Sequence, residues 1–246
     1  MYIEHVDVID STNLELTRRA RVGGQPQVLI AMEQTAGRGR LGRSWVSKAG
    51  EGLYMSILIR PDIPVDKAPL LSLIMGLAAV CAVKEVTGIE ANLKWPNDLV
   101  IDGKKVAGVL AVSEIKDSNL EFVVIGIGIN MFQEAFSEEI AATATSLKLS
   151  GGTFSREDLE NSIVKSFNRY YDNFIREGTF RAFMDEYNSL TVNVGRRVKI
   201  IEPGNEYEAD SLGVNEDGEL IVRLDNGEIR SIRSGEVSVR GVYGYI

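Results

Sequence analysis

"QVLIAMEQTAGRGRLGRSWVSKAGEGLYMSILIR", residues 27–60, decides between two kinds of fold. A short apolar run enters a loop in which glycine and arginine alternate, and a second apolar run follows. Read as Gly37-x-Gly39-x-x-Gly42, the loop fits a dinucleotide-binding fingerprint. Read as Gly37-xxxx-Gly42-Arg43-Ser44, it approaches a P-loop with arginine in the lysine position. Both motifs need a helix opening on the loop, because helix N-terminal amides hold the phosphate. The sequel has no helical periodicity and carries further glycines, and a guanidinium does not replace a compact ammonium. The stretch therefore reads as strand, loop, strand. What remains is a mobile segment with Arg38, Arg40 and Arg43, suited to folding over an anionic ligand.

Outward from this stretch, "YIEHVDVI" alternates like a strand and "DSTNLELTRRARVGG" reads as a capped helix closed by glycines. Residues 66–88 read as a helix buried on nearly all sides. A strand to Lys94, the turn "WPND", and a hairpin bent at Asp102-Gly103 follow, then the apolar strand "LEFVVIGIGINM". Residues 155–190 carry two amphipathic helices. From about 191, short alternating runs between Pro-Gly, Asp-Gly and Asn-Gly turns read as a small β-barrel of about five strands. Hairpins among the strands favour α+β over a doubly wound sheet. The expected division is 1–190 and 191–246.

With 246 residues the chain buries a substantial core without disulfides or metals. Cys81 is its single cysteine and suits a reducing cytoplasm. His5 is its single histidine, which argues against a Ser-His-Asp triad or a histidine-rich zinc site. A net charge of −8 argues against nucleic acid as the main partner. The N-terminus resembles no signal peptide. The apolar run 69–83 is short of the ~20 residues of a bilayer crossing, so no membrane is expected.

Four further motifs bear on chemistry. "DSTN" (10–13) is most simply a helix N-cap, with Thr12 and Glu15 spaced as a capping box. The same groups are also suited to a neutral polar ligand. "KWPND" (94–98) has Pro96 where turns favour it, with Asn97-Asp98 behind. It also sets Lys94 and Trp95 at a sheet edge, and turn and site readings balance. In "GKKVAGVL" (103–110), alternation more commonly turns Lys105 to solvent; inward, it would need an anionic partner. Gly126 and Gly128 in "IGIGIN" clear one strand face for packing or for a flat ligand, and Asn130 is suited to reading an amide or purine edge.

As an ordered set, "STN", Gln34 with "GRGRLGRSW", "KWPND", "KKVAG", "GIGIN" and the terminal "GEVSVR" resemble the biotin protein ligases over essentially the whole chain. The resemblance implies a mixed-sheet catalytic domain followed by a small SH3-like β-barrel. It implies biotinylation of a lysine on a biotin carboxyl carrier protein, through biotinyl-5'-AMP, with biotin, ATP and Mg²⁺. It implies that Ser11, Thr12, Asn13 and Gln34 bind the ureido ring. Arg38, Gly39 and Arg40 correspond to a loop that closes over biotin and the adenylate. Lys105 corresponds to a lysine near the biotin carboxylate and α-phosphate. Lys94, Asn97, Asp98 and Asn130 fall on the nucleotide side, with Trp45 against adenine and Arg240 approaching ATP. Lys105, Arg40 and Lys94 are the implied catalytic cations, and Asp98 a magnesium ligand. No DNA-binding segment is expected ahead of the first strand, and the family implies a homodimer. The rival readings are a lipoate or octanoate ligase or transferase of the same fold, and a non-enzymatic biotin-sensing regulator.

Overall fold

The structure is a computed structural model that describes residues 1–234, 238–242 and 245–246. Its first sheet has seven strands: β1 (Tyr2–Ile9), β2 (Gln27–Gln34), β3 (Gly52–Ile59), β4 (Asn92–Lys94), β5 (Asp98–Ile101), β6 (Lys104–Lys116) and β7 (Asn119–Asn130). They lie in the order β1-β2-β3-β7-β6-β5-β4. Helix α1 (Thr12–Arg21) joins β1 to β2, which run parallel. Strands β2 and β3 pair antiparallel, with Gln27 opposite Leu58 and Ala31 opposite Tyr54. No α-helix separates them, as the lack of helical period after the glycine-arginine loop requires.

The sheet's two faces are treated differently. On one, α2 (Leu70–Thr87) and α3 (Arg156–Glu177) cover the strands. Helix α2 would satisfy a bilayer crossing by length and composition. Here the sheet and α3 bury Leu71, Ile74, Met75, Ala78 and Ala82, so an all-apolar helix is what the position demands. Helix α3 buries Leu159, Ile163, Phe167, Tyr170 and Phe174, a stripe at helical spacing, and ends at Gly178 in the left-handed region. Helix α4 (Arg181–Leu190) follows and anchors Phe183 and Tyr187.

On the other face α1 covers only part of the sheet, through Leu16 and Ala20 on Leu29, Leu58, Phe122 and Val124. Along β7 the residues on that face continue as Gly126 and Gly128. Along β3 they continue as Ser56 and Tyr54. The uncovered, small-residue part of this face is where a ligand can sit.

The second sheet holds β8 (Arg197–Glu202), β9 (Asn205–Val214), β10 (Leu220–Arg223), β11 (Ile229–Ile232) and β12 (Ser238–Gly241), all antiparallel, in the order β11-β10-β9-β8-β12. This matches the expected small β-domain of five strands. Among the described residues no ladder joins β11 to β12, so the sheet is open where a closed barrel is expected. Trp95 ties the two sheets together. Its backbone N–H donates to Asn193 Oδ1 at 2.8 Å and its indole N–H to Gly218 O at 3.0 Å. The indole is wholly buried in one apolar cluster running from Val28 to Val239.

Trp95 thus belongs to the core, while its neighbour Lys94 faces a cavity. Replacing Trp95 with alanine should lower the unfolding free energy by about 3–5 kcal/mol in chemical denaturation, the usual cost of emptying such a site. A loss below about 1 kcal/mol would show that the ring does not join the sheets.

Candidate active site

The inner part of the site is a polar pocket on a glycine floor. Thr12 sits in the first turn of α1, and its hydroxyl donates to Gln34 Oε1 at 3.1 Å and lies 2.7 Å from Ser56 Oγ. The Thr12 N–H donates to the same Gln34 oxygen at 2.9 Å. Ser56 Oγ donates to Asn13 Oδ1 at 3.0 Å, and Asn13 Nδ2 donates to Leu110 O at 3.0 Å. Gln34 Nε2 donates to Ser47 Oγ at 2.9 Å. This chain of side chains from four elements is fixed by mutual bonding, so its geometry exists before any ligand arrives. Ser11 lines the same pocket.

The floor is glycine for steric reasons. A Cβ at Gly126 would stand 2.7 Å from the Asn13 amide, and one at Gly128 would stand 2.6 Å from the Trp45 indole. Both lie well inside van der Waals contact, so the small residues serve the site and not strand-to-strand packing.

Beyond Trp45 the pocket opens into a cavity of about 910 Å³ between the two sheets, large enough for a nucleotide. Its walls are cationic. Lys94 is 5% exposed, donates to Val239 O at 2.9 Å and lies 4.1 Å from the centre of the Tyr245 ring. Burial pulls its ammonium down to about pKa 8; Asp98 opposes the shift, and Lys105, Arg240 and Arg43 add to it. Lys105 pairs with Asp98 at 2.5 Å and sits 5.3 Å over the Trp45 ring. Arg40 donates to Asn97 Oδ1 at 3.1 Å and also to the Ser234 carbonyl. Arg40, Lys105 and Trp45 line both compartments, which places them at the seam. Trp45 also keeps a buried indole N–H that has no acceptor among the described residues.

The structure brings Ser11, Thr12, Asn13, Gln34, Arg38 and Gly39 into the inner pocket, and Lys94, Asp98, Asn130 and Arg240 into the outer cavity, with Asn97 touching both. Several expectations change. The N-cap of α1 is Ser11, without a side-chain cap bond, so Thr12 and Glu15 form no capping box. The Arg18 and Arg19 guanidinium groups hold Glu15 instead, and the Thr12 hydroxyl is released to the pocket. Lys105 faces inward, because Asp98 supplies the anionic partner that burial requires. Asn130 donates one N–H to Thr145 O at 3.0 Å and accepts from Gln133 Nε2 at 3.3 Å, so its amide is oriented by the protein at the wall of the outer cavity.

The glycine-arginine loop is also more ordered than its composition implies. It forms a small hairpin, with the Trp45 N–H on Gly37 O at 2.9 Å and the Gly39 N–H on Arg43 O at 2.7 Å. A Cβ at Gly37 would stand 2.4 Å from Trp45 O, so this glycine serves close approach before mobility. Of the terminal "GEVSVR" motif, residues 235–237 lie outside the described residues, and Ser238 to Arg240 lie in β12.

Sequence reasoning missed Ser56, Ser47 and Tyr245. Ser56 had a signal, being the one serine inside the largely apolar run "GLYMSILIR".

The chain is similar to known proteins in sequence and fold. Residues 6–130 match the biotin/lipoate A/B protein ligase family, and residues 194–240 match the biotin protein ligase C-terminal domain. The chain belongs to the biotin/lipoate ligase family. It is 32% identical over 242 residues to the bifunctional ligase/repressor BirA of Bacillus spizizenii, covering 97% of this chain and 74% of that one. It is 34% identical over 214 residues to the biotin–[acetyl-CoA-carboxylase] ligase of Mycobacterium tuberculosis, covering 84% and 76%. The biotin protein ligase of Aquifex aeolicus, solved in complex with biotin and ATP, superposes with a TM-score of 0.83 at 31% identity, covering 98% and 99%.

Within this ligase fold, Lys94 makes stability depend on pH. Its folded pKa lies below the unfolded value, so between about pH 8 and 10.5 the unfolded chain binds more protons. Unfolding free energy contributed by Lys94 should therefore rise with pH across that window, by on the order of 3 kcal/mol. Comparing denaturation of the wild type and Lys94→Met at pH 7 and 10 isolates the effect. The stability of the wild type minus that of the variant should rise by about 2–3 kcal/mol from pH 7 to pH 10, and a constant difference would contradict the assignment.

Proposed function

We propose that this chain is a biotin protein ligase: it condenses biotin with ATP to biotinyl-5'-AMP, then transfers the biotinyl group to a lysine of a biotin carboxyl carrier protein. The observation that carries the reading is the joining of two unlike compartments. A small, prearranged polar pocket suits a neutral ureido head, and a larger cation-walled cavity suits a triphosphate. They meet at Arg40, Lys105 and Trp45. A fatty acyl chain would leave the Thr12, Asn13, Gln34 and Ser56 dipoles facing hydrocarbon, which disfavours lipoate or octanoate.

The chemistry follows from charge. The biotin carboxylate attacks the α-phosphorus of ATP, forming a C–O–P anhydride and breaking the bond to pyrophosphate. Two anions must meet, so fixed cations at the junction contribute most. Lys105 and Arg40 stand there, and Lys94 stands deeper in the nucleotide cavity. No histidine base is needed, because a carboxylate is already a nucleophile. In the second step the carrier's neutral lysine amine attacks the acyl carbon, and AMP leaves with the electron pair of the broken C–O bond. The Gly37–Trp45 hairpin covers the anhydride against water, with Arg38 and Arg40 reaching toward the ligand. The unpartnered Trp45 N–H gains an acceptor when adenylate is bound beside it.

Asp98 does not fit a protein-held magnesium ion. Lys105 and Tyr245 engage its carboxylate oxygens, and among the described residues no cluster of three metal-binding groups exists. We assign Mg²⁺ to the ATP phosphates instead. The acidic net charge favours a carrier protein over nucleic acid as macromolecular partner, and the single cysteine and the use of ATP support a cytoplasmic setting. A homodimer is part of the same reading by family likeness.

The test is biotin-dependent exchange of pyrophosphate into ATP. Lys105→Ala should lower the exchange rate at least 100-fold, the scale of losing one transition-state charge, with unfolding still cooperative. Exchange within threefold of wild type would remove Lys105 from the reaction. A second variant, Arg40→Gly, should form adenylate but release it. Bystander proteins would then be biotinylated alongside the carrier; labelling confined to the carrier would remove the retention role of Arg40.

A further inference from the structure

Tyr245 and Ile246, beyond β12, lie against the site. Ile246 packs over the β5–β6 turn, where a Cβ on Gly103 would meet its Cδ1 at 3.0 Å, and its backbone lies against Gly241. Between these contacts Tyr245 enters the outer cavity. Its hydroxyl donates to Asp98 Oδ2 at 2.5 Å, and its ring lies 4.1 Å from Lys94 Nζ. The matched C-terminal domain ends at residue 240, so this contact falls outside the region the chain shares with the family model.

We propose that Tyr245 is a positioning residue of the nucleotide site, acting through Lys94 and Asp98 on the phosphates of ATP. Lys94 has three N–H groups; one donates to Val239 O, and the ring face takes another. Asp98, the carboxylate nearest this cluster, is occupied on one oxygen by Lys105 and on the other by the Tyr245 hydroxyl. Asp98 is thereby kept from closing onto Lys94, and the ammonium stays directed at the cavity. Burial and the Asp98 carboxylate push the Tyr245 phenol well above its usual range, so it remains a donor. The cavity of about 910 Å³ includes Tyr245 in its wall, so a nucleotide has room without displacing the ring.

This inference rests on the ligase reading, and one assay separates the two. Steady-state pyrophosphate exchange gives KM for ATP, KM for biotin and kcat for each variant. For Tyr245→Ala we expect KM for ATP to rise about tenfold, while KM for biotin stays within twofold and kcat within threefold. Tyr245→Phe keeps the ring over Lys94 but loses the bond to Asp98, so its KM for ATP should lie between those of the wild type and Tyr245→Ala. An unchanged KM for ATP in Tyr245→Ala, or losses spread equally over ATP and biotin, would overturn the role of Tyr245 alone. Absence of biotin-dependent exchange in the wild type would overturn the ligase reading and this inference with it.

Discussion

Holding several cations together at a buried seam costs desolvation and mutual repulsion, and the site is organised around that cost. Lys94, Lys105, Arg40, Arg43 and Arg240 converge where the two sheets meet. Asp98 is the carboxylate that pairs with them among the described residues. It pairs with Lys105 and accepts from Tyr245, which offsets part of the repulsion. The residual strain appears in Lys94, whose proton is held only to about pH 8. A polyanion entering the cavity relieves it, so binding energy and the electrostatics of the empty fold are two sides of one arrangement.

The second constraint is space. The ligand-facing side of the first sheet is stripped of side chains at Gly126 and Gly128, and the volume released is taken by Asn13 and Trp45. Helix α1 covers the neighbouring part of that face with Leu16 and Ala20, then presents Thr12 and Asn13 from its first turn to the bare part. One helix therefore supplies both packing and recognition. The second sheet matters for the same reason: it contributes Val239 O and Arg240 to the cavity, and Trp95 binds it to the first.

Much of this was legible in the sequence, and the exceptions have physical causes. The missing helical period after Trp45 argued against both phosphate-loop motifs, the hairpins among the strands favoured α+β over a doubly wound sheet, and the alternation of residues 191–241 announced the second sheet. Glycine content in the loop overstated its mobility, because composition does not reveal that Gly37 is needed for contact with Trp45. Local spacing favoured a capping box at Thr12, but two arginines one turn later drew Glu15 away. Strand alternation near a bulge gave Lys105 the wrong side, since the deciding partner Asp98 lies across a hairpin. Tyr245 had no local signal, because its role depends on contacts with Lys94 and Asp98, about 150 residues away in the sequence.

The central claim is that the two compartments together make and spend biotinyl-5'-AMP on a carrier lysine. Intact-mass analysis of a biotin carboxyl carrier domain, incubated with this chain, biotin and magnesium-ATP, tests it most directly. The account predicts one biotinyl group added per carrier, lost when ATP is omitted or when the carrier's acceptor lysine is replaced. A carrier whose mass is unchanged in the complete mixture would contradict it.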